Sequence, residues 1–180
     1  MKHIAAAFAL CLTAGATQAA PLRDNATGLA VDPPPGYTVQ AEAPDRQHAA
    51  SFSVKRAGET ATGCQIGFTR VAGNARRSQP EINAMIGSAA GQEAGRATLA
   101  SVYDVTESAT VQLGDVSALL FLASFKRHPK LPPEALNIRT LFAILETPRG
   151  RTSIVCAAQK GEFASRRPEF EAVVRGTTPP

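Results

Sequence analysis

Tryptophan is absent from the 180 residues and tyrosine occurs only twice, so the chain offers few flat aromatic faces on which nucleotide bases could stack. Charge of one sign is also scarce. Nineteen Lys and Arg face fifteen Asp and Glu, a net of +4, and so mild an excess argues against nucleic-acid binding, which requires basic residues concentrated on one face. Cysteine is limited to Cys11, Cys64 and Cys156. Three are too few for a disulfide-dense miniprotein, and none is spaced as a CxxC redox pair. Histidine occurs three times, never as HExxH or beside a cysteine, so no metal site and no cofactor are expected. No apolar run reaches the roughly 18 residues of a membrane span, so no transmembrane segment is expected in the mature form.

What remains is the composition of a folded domain, 44% hydrophobic and 19% charged. The first residues read as a secretory signal: Lys2 and His3 are a short basic start, residues 4–12 are apolar, and residues 13–20 are small and polar. Cleavage is expected after Ala19, where Thr17 and Ala19 occupy the two small positions a signal peptidase reads. A lipoprotein anchored at Cys11 is the alternative, opposed by the bulky Leu10 before it. Loss of the leader removes Lys2 and no acid, leaving a net charge of +3. The expected organisation is a cleaved signal over 1–19, a polar and proline-rich lead-in over 20–36, one globular domain over 37–176 and a tail over 177–180. The alanine-rich leader has a bacterial style, and the expected location is periplasmic or secreted.

Cys64 and Cys156 then remain as a pair in an oxidising compartment. One bridge is expected, with two separate buried thiols as the alternative. A bridge would close a loop of about 92 residues and contribute a little under about 4.7 kcal/mol in the chain-entropy picture.

Pattern along the chain gives short extended candidates at 29–31 and 37–41 and a one-faced strand over 50–56, where Phe52 and Val54 alternate with polar residues. A further strand over 64–71 puts Cys64, Ile66 and Phe68 on one side. Ser78, Pro80 and Glu81 start a helix expected to run, weakened by Gly91 and Gly95, towards Leu99. Gly114-Asp115 joins strands 102–113 and 116–126 as a hairpin. Strands 116–125 and 138–145 are apolar on both parities and therefore covered on both faces. A weaker strand over 154–158 follows the turn at Pro148-Arg149-Gly150. A helix over 162–175, interrupted at Pro168, ends at Gly176. The expected fold class is α+β: a mainly antiparallel sheet of about six or seven strands sandwiched by two helices.

This order of strands, helix, hairpins and helix resembles the PsbP-like fold, named for an extrinsic subunit of photosystem II, across most of the mature chain. The stretch 145–156, with Pro148, Arg149, Gly150, Arg151 and Cys156, and the helix through Arg166, Arg167, Pro168, Glu169, Phe170 and Glu171 resemble exported bacterial proteins of that class. The resemblance implies a binding or assembly factor rather than one shared reaction, and carries no catalytic residue across.

Known chemical signatures fail on inspection. Gly58 and Gly63 have phosphate-loop spacing, but Cys64 stands where the lysine is needed. There is no G-x-S-x-G elbow, and His48 and His128 are not placed for a triad in sequence. Gly87, Gly91 and Gly95 line one helix stripe, which reads as close docking on the sheet, as a frayed second half of the helix, or as a dimer face. The candidate binding residues are basic: Lys126, Arg127 and Lys130 with Arg149 and Arg151, at the ends of two strands. They form either solvated rim charge interleaved with glutamates, or one anion-facing patch if the strand ends coincide. The functional expectation is a non-enzymatic binding or assembly module whose partner is an unknown protein or an anionic envelope component. The alternative is a small hydrolase-type enzyme whose residues converge only in the fold.

Overall fold

The structure is a computed structural model and describes residues 20–180. The expected leader and Cys11 lie outside the described residues. The elements run β1 (Leu22–Arg23), β2 (Ala30–Val31), β3 (Tyr37–Glu42), β4 (Ala50–Arg56), β5 (Gly63–Arg70), α1 (Gln79–Gly87), α2 (Ala89–Ala100), β6 (Tyr103–Leu113), β7 (Val116–Phe125), β8 (Ile138–Thr147), β9 (Gly150–Gln159), α3 (Lys160–Arg175) and β10 (Thr177–Thr178).

Two antiparallel meanders, β3-β4-β5 and β6-β7-β8-β9, join edge to edge into one seven-stranded sheet of order β3-β4-β5-β9-β8-β7-β6. The chain crosses from β5 to the far edge through α1 and α2, then returns strand by strand to pair β9 against β5. Cys64 and Cys156 face each other in that last pairing and are bonded, so the disulfide fastens the seam where the two meanders meet. The β6–β7 hairpin turns at Gly114 with φ of 62°, a backbone region that suits glycine.

The two-sided apolar strands are covered on both faces, as their parity requires. On one face Phe52, Val54, Ile66 and Phe68 of the first meander meet Leu122, Leu141, Leu145 and Ile154 of the second, under Phe163, Phe170, Val173 and Val174 of α3. On the other face Leu119, Phe121 and Phe142 pack beneath Ile82 and Ile86 of α1. Both helical layers are needed because β7 and β8 would otherwise leave one apolar side in water.

Three differences from the sequence reading have local causes. The single helix over 78–99 is two helices broken at Ser88, which closes α1 and opens α2: its hydroxyl donates to Met85 O (2.7 Å) and accepts from the Gly91 amide (3.0 Å). Pro168 sits inside α3 rather than interrupting it. It is exposed, as is Ala164, so the carbonyl that loses its partner one turn back is on the solvent side. The lead-in and the tail pair with each other: β1, β2 and β10 form a small second sheet, with Leu29, Val31 and Thr177 buried. Strands of two residues leave too little alternation for a pattern to reveal.

Candidate functional site

β7 delivers its last apolar residue, Phe125, onto Tyr103, with ring centroids 4.5 Å apart, and Tyr103 meets Phe142 at 4.9 Å. This aromatic stack anchors the corner where α2 turns into β6. Immediately beyond it the chain becomes basic. The Lys126 amide donates to Val102 O (2.9 Å), and its ammonium donates to Ala100 O (2.5 Å) at the C-terminal end of α2, where unpaired carbonyls favour a cation. The loop that follows is tied by its own turns: the Leu131 amide donates to His128 O, and the Lys130 amide donates to His128 Nδ1 (3.2 Å). Pro133–Asn137 then forms a short 3-10 turn before β8 begins.

These pieces enclose a cleft of about 490 Å³ lined by Ser101, Val102, Lys126, Arg127, His128, Lys130 and Leu131. Its charged lining is wholly cationic. Val102 is 48% exposed within it, one of two large hydrophobic side chains left in water among the described residues. Such a cleft attracts an anionic group and offers it a small apolar floor. Among the described residues no cluster of His, Cys, Asp and Glu could hold a metal.

The five basic residues singled out in the sequence do not converge. Lys126, Arg127 and Lys130 share the cleft, whereas Arg149 lies in the β8–β9 turn at the opposite end of the sheet, roughly 30 Å away along ten residues of strand. Arg151 is committed elsewhere, its Nε donating to Glu146 Oε1 at 2.5 Å. The physical reason is β8 itself, which runs the full height of the sheet between the two loops. Arg149 instead lies beside Gly28, close to Arg23, and borders a separate cleft of about 740 Å³ together with Arg175.

The largest ionic constellation escaped the sequence reading. Arg166 of α3 is buried and donates to both Glu59 oxygens (2.6 and 3.0 Å), to Tyr37 Oη (2.8 Å) and to Glu169 Oε2 (3.1 Å), while its guanidinium lies 5.1 Å from the Phe170 ring centroid. Arg56 also pairs with Glu169. Burial pushes the Tyr37 phenol up to about 12, helped by its hydrogen bond to Glu169. For Glu59, burial alone would raise the carboxyl; hydrogen bonds from Arg166 and Thr62 outweigh it and hold the group below its ordinary value. Glu169 is lowered in the same way, with Tyr37 and Arg56 as the donors that outweigh burial. A signal for this hub exists in the sequence: Arg166 stands three residues after Phe163 and four before Phe170, on the apolar stripe of the helix.

A second titratable pair lies on the open half of the sheet. His48 Nδ1 is 3.0 Å from Asp45 Oδ2, and hydrogen bonds from the His48 ring and from the His48 and Gln47 amides bring the Asp45 carboxyl down to about 2. The imidazole covers Gly67, where a Cβ would come within 2.3 Å of the ring. Ser51, across from Gly67, donates to Ile66 O, and among the described residues no hydroxyl hydrogen-bonds to His48.

No protein-family model and no curated protein matches the chain. Among solved structures it is similar to cyanobacterial PsbP (CyanoP) from Synechocystis sp. PCC 6803, with a TM-score of 0.58 over 96% of this chain and 98% of that one, at 6% sequence identity. At that identity the likeness concerns architecture alone, and it agrees with the strand and helix order described above: the protein has a PsbP-like α+β fold.

Proposed function

We propose that the protein is an exported, non-enzymatic binding or assembly module that docks an acidic partner through the Arg127–Lys130 cleft. The observation that carries this reading is the wholly cationic lining, with exposed Val102 among the cations. The leader-like first residues and the Cys64–Cys156 bond support export to an oxidising compartment. Lys126 has a structural share in the cleft because it caps α2, so Arg127 and Lys130 are the residues whose charge is left for a partner. Rigid presentation by Pro129 and Pro132 lowers the ordering cost of recognition.

The test is binding to poly-glutamate, an acidic polypeptide, with Arg127→Gln/Lys130→Gln as the variant. The expected result is salt-sensitive binding that weakens about 30-fold in the variant, at roughly 1 kcal/mol per cation, with an unchanged melting temperature. Equal binding by the variant and the wild type at low salt overturns the reading. The hydrolase alternative rests on the Asp45–His48 pair, and its measure is whether His48→Asn abolishes an esterase activity of the purified protein.

A further inference from the structure

α2 covers the sheet without filling the space beneath it. None of its twelve residues is fully buried, and the side it turns towards β7 and β8 is built of small residues: Gly91, Ala94, Gly95 and Thr98. The helix is held over the edge of the sheet instead. Arg96 donates to Ser108 Oγ (2.8 Å) and to Val105 O (3.3 Å), both on edge strand β6. At Gly95 the approach is close, since a Cβ would come within 2.6 Å of Phe121. Of the glycine stripe, Gly95 therefore docks on the sheet, whereas Gly91 abuts the Met85 and Ile86 carbonyls at the end of α1 and Gly87 faces open space. Towards β8 and β9 the layers separate, and Ile144 stays partly exposed.

The result is a groove of about 360 Å³, floored by Ile86, Leu119 and Ile144 and rimmed by Met85, which is 40% exposed. Its size and predominantly apolar wall fall in the range of small-ligand sites, where a few placed polar groups set orientation. Met85 is suited to such a rim because its thioether chain adapts to what it covers.

The polar group is Arg151, at the end of the groove nearest the β8–β9 turn. Its position is fixed from below. Glu146 is buried, with one oxygen accepting from Arg151 Nε (2.5 Å) and the other from Asn74 Nδ2 (2.7 Å). Among the described residues the two terminal nitrogens of Arg151 have no hydrogen-bond partner, and the side chain is 49% exposed. A guanidinium anchored through Nε presents two parallel donors, the geometry that receives a carboxylate.

We propose that the groove between α2 and the β7–β8–β9 face binds a single-chain anionic amphiphile of the fatty-acid class, its alkyl chain against Leu119 and Ile144 and its carboxylate on Arg151. This site is separate from the Arg127–Lys130 cleft, and the two readings stand or fall independently.

The test is calorimetric titration of the full mature chain with decanoate below its micellar range, beside decyltrimethylammonium, which has the same chain length and the opposite charge. Decanoate is expected to bind with at least tenfold preference. Ala94→Leu or Thr98→Leu, each placing a larger side chain in the groove from an exposed helix position, is expected to weaken decanoate at least tenfold at an unchanged melting temperature. Arg151→Gln is expected to erase the preference between the two amphiphiles; Arg151→Lys, which keeps the charge over Glu146 but loses the paired donors, is expected to reduce it. No decanoate binding, equal binding of the two amphiphiles by the wild type, or undiminished binding by both folded leucine variants overturns the proposal. So does a concentration-dependent dimer that Ala94→Leu abolishes, which would assign the groove to a second copy of this chain.

Discussion

Replacing Arg166 by methionine keeps much of its length and its contact with Phe170 but removes every hydrogen bond that Arg166 itself donates to the hub. Glu59 then loses a two-pronged partner, Tyr37 loses a donor, and Glu169 retains only Arg56 and the Tyr37 hydroxyl. Removing one member of a buried pair ordinarily costs about 3–5 kcal/mol, because the other charge is left uncompensated. Here the carboxylates are 24% and 30% exposed and can regain water, which places the expected loss near the lower end, about 3 kcal/mol. Urea unfolding at neutral pH measures it through the midpoint at constant slope. A double-mutant cycle with Glu59→Gln should return a coupling of about 1–2 kcal/mol, since the two residues touch.

The pH dependence supplies an independent reading of the same hub. Glu59 and Glu169 are both held below the ordinary value of 4.5 in the folded chain. Their contribution to stability is therefore complete above pH 4.5 and is lost as the pH falls through the lowered folded values. In Arg166→Met that acid-side loss should flatten, because the charged donor responsible for part of the lowering is gone. A loss under about 1 kcal/mol for Arg166→Met, together with an unchanged acid limb, would refute the assignment of Arg166 as the tie between α3, Tyr37 and Glu59.

Two stability predictions concern the sheet. Cys64→Ser and Cys156→Ser should each cost about 2–4 kcal/mol, and the double variant little more, because they remove one shared bond; additive losses in urea unfolding would contradict this. Thr152→Val should stabilise the protein by about 1 kcal/mol, since its hydroxyl is buried opposite Phe68 and Leu145 with no hydrogen-bond partner, and a lowered unfolding midpoint would show that the hydroxyl is satisfied in solution.

The elements legible in the sequence are those whose pattern is long. β4, β7 and β8 each carry enough alternating or two-sided apolar residues to state their burial before any coordinates, and Gly114-Asp115 states its turn. What escaped is short or depends on distant partners. β1 and β10 have two residues each and become strands only because β2 lies between them. The break at Ser88 turns on one hydroxyl serving two helices, and serine inside a helical run is equally compatible with an unbroken one. Arg166 is visible in the sequence only as one more charge on a helix, although its spacing to Phe163 and Phe170 places it on the buried side.

The basic residues show where a stricter use of topology improves a reading of function. In an antiparallel meander each strand reverses direction, so two loops separated by a single strand must lie at opposite ends of the sheet. The segment at 126–130 and the turn at 148–149 are separated by β8 alone, which excludes a patch containing both before any side chain is placed. The same rule brings the 126–130 segment to the end of the sheet where β6 begins, so the corner between α2 and β6 must meet it there. That corner supplies Ser101 and exposed Val102 to the cleft and Ala100 O to Lys126. Charge seen along the sequence becomes a site only after strand parity has sorted it by end, and here parity keeps Arg127 and Lys130 together while sending Arg149 away to Arg23 and Gly28.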